Sequence, residues 1–425
     1  MALPRTSLRG FLTHAKYTLQ VAALSKSPVT FVVGNESADL DSICSTILYS
    51  YIASISPRSS RTSQVFHIPL LNLPKADIGL RPELLALLPK ANITRDHLIT
   101  LDDLGDANSL DARFSPANTR WILVDHNSLQ GRLGQLYGDR VVGTIDHHVD
   151  EGTVLQDTQD EPRVITTCGS CTSLVANYLQ HSWDLWSLYV SFSGAANGQG
   201  DNIIEDGAFA TLWDAQVAQF ALGAILIDTV NLNDEHKTAQ QDREAAKYLE
   251  ARIKMSPKIG KSYDRAALYD EIARAKQSLD NLTVRDILRK DYKQWTENSL
   301  SLGISSVVKP YSYLETKAQD QGNGDLLIES QQFVEDKKLD ITSVLTAFTS
   351  TDGTFQRELS LLSRDERGKQ VIERFCSDAS KQLRLSGERR RESQDWLHVI
   401  WNQGDLAASR KQVAPLLRKA MAAIQ

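Results

Sequence analysis

The sequence predicts an α/β protein with a larger N-terminal domain built around a parallel sheet and a smaller C-terminal α+β domain. Short apolar runs that end in an aspartate recur through the first half of the chain and alternate with segments of helical periodicity. Because the carboxyl ends of parallel strands meet at one edge of a sheet, this order predicts a sheet edge lined with acids. After residue 262 strands and helices alternate differently, and this change predicts the second domain.

The first strand and the helix that follows it organise the rest of the chain. An apolar run at 30–33 stops at Gly34, and two carboxylates, Asp39 and Asp41, follow. Apolar residues then recur at positions 40, 43, 44, 47, 48 and 51, so one face of a helix over about 39–54 packs on the sheet. The acids therefore lie at a strand-to-helix turn, where open α/β sheets collect ligands. A helix cap formed by Ser37 or Asp39 explains the same residues without a ligand.

The other elements of the first domain follow in βαβα order. We predict an amphipathic helix within 1–28, strands at 29–34, 63–69, 121–125, 140–146 and 163–166, and helices at 81–88, from 168, from 208 and at 242–254. Three of these elements end in an acid, at Asp125, Asp146 and Asp228. The stretch 183–206 opens with aromatic residues and turns rich in glycine and asparagine, so we predict an insertion folded onto the surface there.

A change in composition marks the boundary between the domains. Proline and glycine occur in 256–262, and this segment is the predicted linker between a first domain at 1–255 and a second at 263–425. For the second domain we predict strands at 295–308 and 339–350, and helices at 330–338, 365–383 and 413–424. We interpret the arginine run at 389–391 as a solvated helix face.

Composition and charge exclude some classes of partner. The 425 residues are 41% hydrophobic and 24% charged, with a formal net charge of -6, so no global attraction pulls the protein toward nucleic acid or an anionic membrane. An anionic substrate must then be held by local positive charge. The longest weakly charged region, 164–200, is interrupted by Asp184 and other polar residues, and we do not expect it to span a bilayer.

The cysteines and the first residues predict where the protein works. Four cysteines and no secretory leader indicate a reducing compartment, which favours the cytoplasm. Arg5, Arg9 and Lys16 lie among apolar residues, and no acid precedes Glu36, so the mitochondrial matrix stays open as an alternative. The pair Cys168 and Cys171 is better explained by small residues at a helix N-terminus than by a metal or redox motif.

A set of acids and histidines shares one position in the predicted elements, at or just past an apolar strand or helix end. The set comprises Asp39, Asp41, Asp125, Asp146, His147, His148 and Asp228. Converging carboxylates repel one another and stay ionised where divalent metals neutralise them. Aspartate and histidine donors suit Mn, Co or Mg. Two ions are expected with this many acids, and two ions clamp the attacking and leaving oxygens of a phosphoryl displacement. Each aspartate taken alone is more often a turn or cap residue.

Four segments of this set resemble the motifs of the DHH phosphoesterase superfamily: GNESADLDSI at 34–43, VDHN at 124–127, DHH at 146–148 and ID at 227–228. Two later segments, DYK at 291–293 and SRKQVAP at 409–415, resemble the substrate-binding segments of the second domain in its DHHA2 branch. The likeness covers nearly the whole chain apart from 183–206. Within the branch the chain is most similar to eukaryotic cytosolic exopolyphosphatases, with family II inorganic pyrophosphatases and prune phosphodiesterases as nearest relatives.

The resemblance implies a catalytic site in a cleft between the two domains. It assigns two divalent ions (Mg, Mn or Co) to five ligands, which are Asp39, Asp41, Asp125, His147 and Asp228. Asp125 and Asp228 would bridge the ions, and Asp146 would orient a ligand histidine. His148, with Asp125 the catalytic residue, would contact the scissile phosphate or its leaving oxygen.

The resemblance also implies a substrate-binding set. Lys293, Arg410 and Lys411 would hold phosphate oxygens, the arginine in a bidentate fork and the lysines as point charges. Asn35 stands where family II pyrophosphatases have a metal-binding histidine, and we expect it to contact substrate or metal. An amide does not replace imidazole as a strong ligand.

These observations predict an exopolyphosphatase, a phosphoanhydride hydrolase that releases terminal orthophosphate from inorganic polyphosphate. The alternatives are an inorganic pyrophosphatase or prune-like nucleotide phosphodiesterase of the same architecture and, from another class, a scaffold that acts through partners. A scaffold would have no reason to keep the full set of acids, so their presence argues against this alternative. We expect a monomer without a membrane or nucleic-acid partner, since no aromatic stacking platforms accompany the basic segments.

Overall fold

The chain folds into two compact units, Met1–Lys276 and Gln277–Gln425. The structure, a computed structural model, describes residues 6–55, 65–106, 109–193, 203–321, 324–393 and 395–424.

A five-stranded parallel sheet forms the centre of the first unit. Its strands are β1 (Val29–Val33), β2 (His67–Leu70), β3 (Thr119–Val124), β4 (Val141–Asp146) and β5 (Arg163–Ile165). They run in the order β2-β1-β3-β4-β5, and every neighbouring pair is parallel. The prediction of a parallel sheet in an α/β fold is confirmed, and the carboxyl ends of all five strands lie at one edge.

Helices cover both faces of this sheet. They are α1 (Leu8–Ser25), α2 (Leu40–Ile55), α3 (Pro82–Leu87), α4 (Leu101–Leu104), α5 (Leu110–Arg113), α6 (Gly131–Tyr137), α7 (Cys171–Ser193), α8 (Ile203–Asp228), α9 (Gln240–Met255) and α10 (Arg265–Gln277). Successive residues of a strand point to opposite faces. Val32 and Ile122 therefore join an apolar cluster with α2, α7 and α8, and Phe31 and Trp121 join a second cluster with part of α1.

The stretch predicted as a surface insertion belongs in its first part to the core. Trp183 and Trp186 lie in α7, which runs unbroken to Ser193, and their side chains are 0% and 1% exposed. They continue the buried helical stripe of Val175 and Leu179, and the indole Nε1 of Trp183 donates to Asp214 Oδ1 at 3.0 Å. The prediction of a surface insertion is wrong for 183–188, because these aromatic residues extend the apolar face of a core helix. Its central part, 194–202, lies outside the described residues.

One stretch of α8 is apolar enough to raise the question of a membrane. Within the part of the chain that the structure describes, Phe209–Asp228 alone is long and apolar enough to cross a bilayer, and 67% of it is buried inside the unit. Its residues Phe220, Leu222 and Ile225 pack in the cluster with α2 and α7. A core helix that is covered on most sides must be apolar nearly all round, so packing explains this composition.

The second unit contains a six-stranded mixed sheet with the order β12-β13-β11-β8-β7-β6. The strands are β6 (Tyr292–Glu297), β7 (Leu300–Val307), β8 (Ile341–Thr346), β9 (Phe348–Thr349), β10 (Phe355–Gln356), β11 (Glu358–Arg364), β12 (Leu385–Glu392) and β13 (Trp396–Gln403), with β9 and β10 forming a separate ribbon. The helices are α11 (Val284–Lys290), α12 (Tyr311–Asp320), α13 (Leu326–Lys337), α14 (Asp365–Leu383) and α15 (Arg410–Ala422). Helices α14 and α15 share one apolar core with the sheet.

Two predictions for the second unit are wrong in detail. The single strand predicted at 295–308 is a hairpin of β6 and β7, because Asn298 and Ser299 adopt positive φ values of 48° and 62° and turn the chain. The arginine run at 389–391 lies in the edge strand β12 and not in a helix. Charged residues are common on such edges because they hinder pairing with another chain.

Helix α10 follows the predicted linker at 256–262 and yet packs on the first unit. Leu268 and Ile272 are buried in the apolar cluster of α2, α7 and α8. The compact units therefore divide after Lys276. The boundary between the two domains of the resemblance stays a prediction.

Candidate metal centre

The turn after β1 brings Asp39 and Asp41 to the start of α2. Gly34 permits this turn, since a Cβ there would lie 2.9 Å from the Cβ of Ser42. Ala38 adopts a left-handed φ of 42°, and Asp39 Oδ1 then accepts a hydrogen bond from Ser42 N at 3.0 Å. The capping role considered for Asp39 is therefore present, and it fixes a carboxylate at the carboxyl edge of the sheet.

Asp41 is buried and lies against the first turn of α7. Its Oδ1 accepts hydrogen bonds from Ser170 Oγ (2.7 Å), Thr172 N (2.8 Å) and Thr172 Oγ1 (2.6 Å), and its Oδ2 accepts one from Cys171 N at 2.6 Å. Backbone donors at a helix N-terminus stabilise negative charge there. The Oδ2 atom also lies 4.0 Å from His147 Nε2.

Asp125 follows the last residue of β3 in a left-handed conformation, with φ 63°, and is 2% exposed. Its Oδ2 accepts hydrogen bonds from Ser42 Oγ at 2.5 Å and Asn35 Nδ2 at 2.8 Å. Its Oδ1 lies 3.1 Å from His147 Nε2, but this contact lacks hydrogen-bond geometry, and Oδ1 has no hydrogen-bond partner among the described residues. One oxygen of Asp125 is therefore saturated and the other is open.

The two histidines after β4 are oriented by different groups. His147 Nδ1 donates to Cys168 O at 3.0 Å, which directs Nε2 toward Asp125. His148 Nδ1 lies 2.8 Å from Asp146 Oδ1, and Asp146 is itself fixed by Asn127 Nδ2 at 2.6 Å. Asp146 therefore contacts His148. Ligand atoms of Asp125, His147 and His148 lie within 4.8 Å of one another, which makes these three a group that could hold a metal ion.

Asp228 brings a further carboxylate to this group at the end of α8. Its Oδ2 is buried without a hydrogen-bond partner among the described residues. The next residues, Val230, Asn231 and Leu232, all adopt left-handed φ values, of 51°, 58° and 65°. Non-glycine residues rarely adopt this conformation, and strained backbone of this kind clusters at functional sites.

Burial and mutual repulsion perturb the charges of the cluster. Burial and the charge of Asp41 raise the pKa of Asp125 to about 7. The same two causes raise the pKa of Asp228, and they raise that of Asp39 although the residue as a whole is solvent-exposed. Burial alone would lower the pKa of His147, but its contact with Asp125 raises it to about 12. Without a cation the cluster therefore retains protons.

A divalent cation fits these residues. The donors are carboxylate oxygens and imidazole nitrogens, which suit Mg, Mn or Co. Two buried carboxylate oxygens, Asp125 Oδ1 and Asp228 Oδ2, have no hydrogen-bond partner among the described residues. Buried polar atoms of this kind require an explanation, and a bound ion would supply their missing partner and displace the protons.

Asn35 joins the turn after β1 to Asp125. Its Nδ2 donates to Asp125 Oδ2 and to Asp125 O, and its Oδ1 accepts from Ser37 N, Ser37 Oγ and Ala38 N. All of these contacts are within the protein. A contact of Asn35 with metal or substrate stays a prediction.

The predicted phosphate-binding residues of the second unit lie on β6 and at the start of α15. Lys293 is exposed on β6, and Arg410 and Lys411 form the first turn of α15. Arg410 Nη2 lies 2.7 Å from Asp291 Oδ1, and Arg410 Nη1 donates to Asp291 O at 2.9 Å. Asp291 thus holds the guanidinium group beside the start of β6.

Sequence reasoning missed the partners that hold the ligands in place. Ser42 binds Asp125, and Ser170 and Thr172 bind Asp41. These residues are small and polar, and they follow the motif acids or a glycine, as residues at many helix starts do. Only the spatial neighbourhood distinguishes them.

Comparison with known proteins supports the family that the sequence motifs resemble. Residues 29–198 match the family described as DHH family, N-terminal domain, and residues 270–420 match the DHHA2 domain. A Schizosaccharomyces pombe protein named "Putative exopolyphosphatase" is 32% identical over 400 residues, which cover 94% of this chain and 93% of that protein. Human "Exopolyphosphatase PRUNE1" is 25% identical over 414 residues, which cover 95% of this chain and 78% of that protein.

Among solved structures, one described as "Crystal structure of Methanococcus jannaschii putative family II inorganic pyrophosphatase" has a TM-score of 0.48 at 20% identity, covering 92% of this chain and 99% of that one. The two domain matches and the extended identity to the S. pombe protein span both units. The chain belongs to the DHH phosphoesterase superfamily, in the branch that carries a C-terminal DHHA2 domain.

Proposed function

We propose that this protein is an exopolyphosphatase that removes terminal orthophosphate from inorganic polyphosphate with the help of two divalent ions. The observation that carries the proposal is the state of Asp125, whose Oδ2 is saturated while its buried Oδ1 is open beside His147. A carboxylate fixed in this way is better explained as a ligand for a cation than as a group that stabilises the fold. The exopolyphosphatase names of the relatives support polyphosphate as the substrate.

Five residues would hold the ions: Asp39, Asp41, Asp125, His147 and Asp228. Ser42 and Asn35 donate hydrogen bonds to Oδ2 of Asp125, which leaves Oδ1 as the oxygen without a hydrogen-bond partner among the described residues. When bound, divalent ions neutralise phosphate oxygens and lower the pKa of water. Asn35 then acts on the reaction through the orientation of Asp125, which agrees with its bonds inside the protein.

His148 would supply a proton to the leaving phosphate oxygen. Its Nδ1 is held by Asp146, which leaves Nε2 for a ligand, and its side chain is 57% exposed. The hydrogen bond with Asp146 raises the pKa of His148, so the imidazole holds a proton more firmly near neutral pH. A positioned acid of this kind typically contributes about 10²–10⁴-fold to a reaction.

The second unit would supply the positive charge that a polyanion requires. Lys293, Arg410 and Lys411 are its candidates for phosphate contacts, and Asp291 holds the Arg410 guanidinium in one orientation. Local charge is necessary because the chain as a whole carries -6. We place the protein in the cytoplasm, since Cys44, Cys168, Cys171 and Cys376 are all free and a reducing compartment keeps them so, and we propose that it is a monomer.

The test is phosphate release from long-chain polyphosphate, pyrophosphate and a cyclic nucleotide, each with Mg²⁺ and with Mn²⁺. We expect the highest kcat/KM for polyphosphate and no activity after removal of the metal. A preference for pyrophosphate or for the cyclic nucleotide would replace the proposal with the corresponding alternative. A wild-type protein inactive on all three substrates would instead favour the scaffold.

A further inference from the structure

One short segment, made of the loop before α7 and the first two residues of that helix, contacts three of the candidate ligands. The carbonyl oxygen of Cys168 accepts the Nδ1 hydrogen of His147. The Sγ atom of Cys171 lies 3.2 Å from Asp125 N and accepts its hydrogen bond. Ser170, Cys171 and Thr172 donate to Asp41. The position of residues 168–172, which we name the ligand loop, therefore sets the positions of His147, Asp125 and Asp41 together.

Asp242 of α9 holds this ligand loop from outside the cluster. It is 0% exposed, and its Oδ2 accepts hydrogen bonds from Gly169 N at 2.8 Å and Ala239 N at 2.7 Å. Its Oδ1 accepts from Ser170 N at 3.2 Å and Ser173 Oγ at 2.6 Å. A buried carboxylate is tolerated when several donors satisfy it, and three of these four donors belong to the ligand loop or the residue after it.

Close packing leaves the ligand loop little freedom to move. A Cβ on Gly169 would lie 2.6 Å from Thr229 Cγ2, 2.9 Å from Asp242 Oδ2 and 3.1 Å from Lys237 O. Thr229 follows Asp228 directly in the chain, so the ligand loop also packs against the segment that carries a fourth candidate ligand. Only glycine allows this approach without a shift of the neighbours.

We propose that Asp242 is a positioning residue for the metal centre, acting through the ligand loop on Asp41, His147 and Asp125. The proposal rests on the proposed function for the identity of the metal ligands. In Asp242→Asn one acceptor oxygen is replaced by an NH2 donor, so either the Gly169 or the Ser170 amide faces a donor in place of its acceptor, and the ligand loop moves. Ligand geometry at a metal site must be held within about 0.5 Å, so a small displacement weakens the site.

Asp242→Asn in the full-length chain tests this role. We expect Mn²⁺ binding to the metal-free protein, measured by titration calorimetry, to weaken about tenfold or more, as is typical when a group that supports a ligand is lost. With polyphosphate, kcat should fall at limiting Mn²⁺ and recover when Mn²⁺ is raised, while KM stays unchanged. A purely structural role would lower the melting temperature without this recovery.

Asp214→Asn is the matched control. Asp214 is a buried acid in α8 that accepts hydrogen bonds from Trp183 Nε1, Ser187 Oγ and Arg252 Nη1. It joins α7, α8 and α9 away from the cluster. We expect this variant to lose stability and to keep the wild-type affinity for Mn²⁺.

Ser173→Ala keeps the proposal testable if Asp242→Asn does not fold, because it removes one of the four hydrogen bonds to Asp242 and should weaken Mn²⁺ binding in the same direction. Wild-type Mn²⁺ affinity in both variants, or an equal loss in Asp214→Asn, overturns the proposal. The calorimetry uses no substrate. A wild-type protein that binds Mn²⁺ but does not hydrolyse polyphosphate would therefore refute the proposed function and leave the role of Asp242 standing.

Discussion

At the scale of single residues, Asp125 shows how the chain builds a reactive carboxylate. The residue adopts a left-handed φ of 63°, which aspartate tolerates better than most side chains because its short polar group bonds locally. Ser42 and Asn35 hold one of its oxygens, and His147 faces the other. The position of Asp125 after an apolar strand was readable from the sequence. The two donors were not, since they come from a segment 83 and 90 residues earlier in the chain.

Asp125→Ala should abolish turnover and leave the fold intact. We expect activity to fall at least about a hundredfold, the size typical for loss of a group that stabilises charge in the transition state. The metal-free variant should remain folded, because relief of the repulsion between the buried carboxyl and Asp41 offsets part of the loss of the hydrogen bonds from Ser42 and Asn35. Circular dichroism and phosphate release check both statements. A folded variant that keeps most of its activity would contradict the assignment of Asp125 to the ions.

The pKa shifts predict how stability changes with pH. The pKa of Asp125 is raised from 3.8 to about 7, so the folded protein binds a proton that the unfolded chain has lost. This stabilisation is complete below 3.8 and disappears as the pH rises through 7, and the raised pKa of His147 has the same sign. The metal-free protein should therefore become less stable between about pH 5 and pH 8, and the stabilisation by Mg²⁺ should grow over the same range.

Thermal unfolding with and without Mg²⁺ measures this difference across the range. Asp125→Ala is the control, because it removes one of the shifted groups and should flatten the dependence. A metal-free melting temperature that rises steadily with pH over this window would be the opposite result.

At the scale of elements, apolar periodicity predicted the sheet. It failed where an aromatic segment could be explained either by a surface insertion or by a core helix. Apolar runs that stop at Gly34 or end in an acid predicted β1, β3 and β4, because buried parallel strands have no polar face. The tryptophans of α7 were misread, since a local run of aromatic residues does not reveal whether another helix covers it. The hairpin of β6 and β7 was missed because Asn298 and Ser299 lack the glycine that usually marks such a turn.

Helix α10 provides a test at this scale. Ile272 is 0% exposed, and its Cδ1 would meet a Cβ on Gly223 of α8 at 3.0 Å. Ile272→Ala should destabilise the first unit by about 2–5 kcal/mol, the usual cost of such a cavity. In calorimetric unfolding, the transition whose midpoint temperature rises when Mn²⁺ is added belongs to this unit. In Ile272→Ala this midpoint should fall.

Ile372→Ala, at a fully buried position in the core of the second unit, is the matched control and should leave the Mn²⁺-dependent transition in place. If Ile272→Ala instead lowers a transition that Mn²⁺ does not affect, α10 belongs with the second unit.

At the scale of the whole molecule, the candidate metal ligands and the candidate phosphate-binding residues belong to different units. The first contains the acids and histidines, and the second contains the cations proposed to hold phosphate, of which Lys293 and Lys411 are exposed and Arg410 is partly buried. The resemblance to the DHH and DHHA2 motifs predicted both groups from the sequence, and their roles stay predictions. The pairing of Arg410 with Asp291 could not be predicted, because these residues lie 119 positions apart and meet through the packing of α15 beside β6.

Arg410→Ala and Lys293→Ala should weaken binding of polyphosphate more than binding of metal. We expect KM to rise about tenfold, since a hydrogen bond to a charged group contributes about 1.5–3 kcal/mol. The part due to long-range attraction should shrink at high salt. Steady-state kinetics at two salt concentrations, with Mn²⁺ calorimetry, measure both effects.

Arg418→Ala is the control on the same helix, where the guanidinium pairs with Glu297 at 2.9 Å. It should leave KM unchanged. Loss of Mn²⁺ with unaltered KM in Arg410→Ala would place that arginine in the metal site instead.

The hydrogen bonds between the ligand loop and Asp41 also provide a spectroscopic label. The amides of Cys171 and Thr172 donate to the Asp41 carboxyl group at 2.6 and 2.8 Å, and short hydrogen bonds of this kind deshield the proton. Both amide resonances should therefore appear at low field in a nuclear magnetic resonance spectrum. A cation that draws electron density from Asp41 would move them upfield, so two amides that bind no metal themselves would record its arrival.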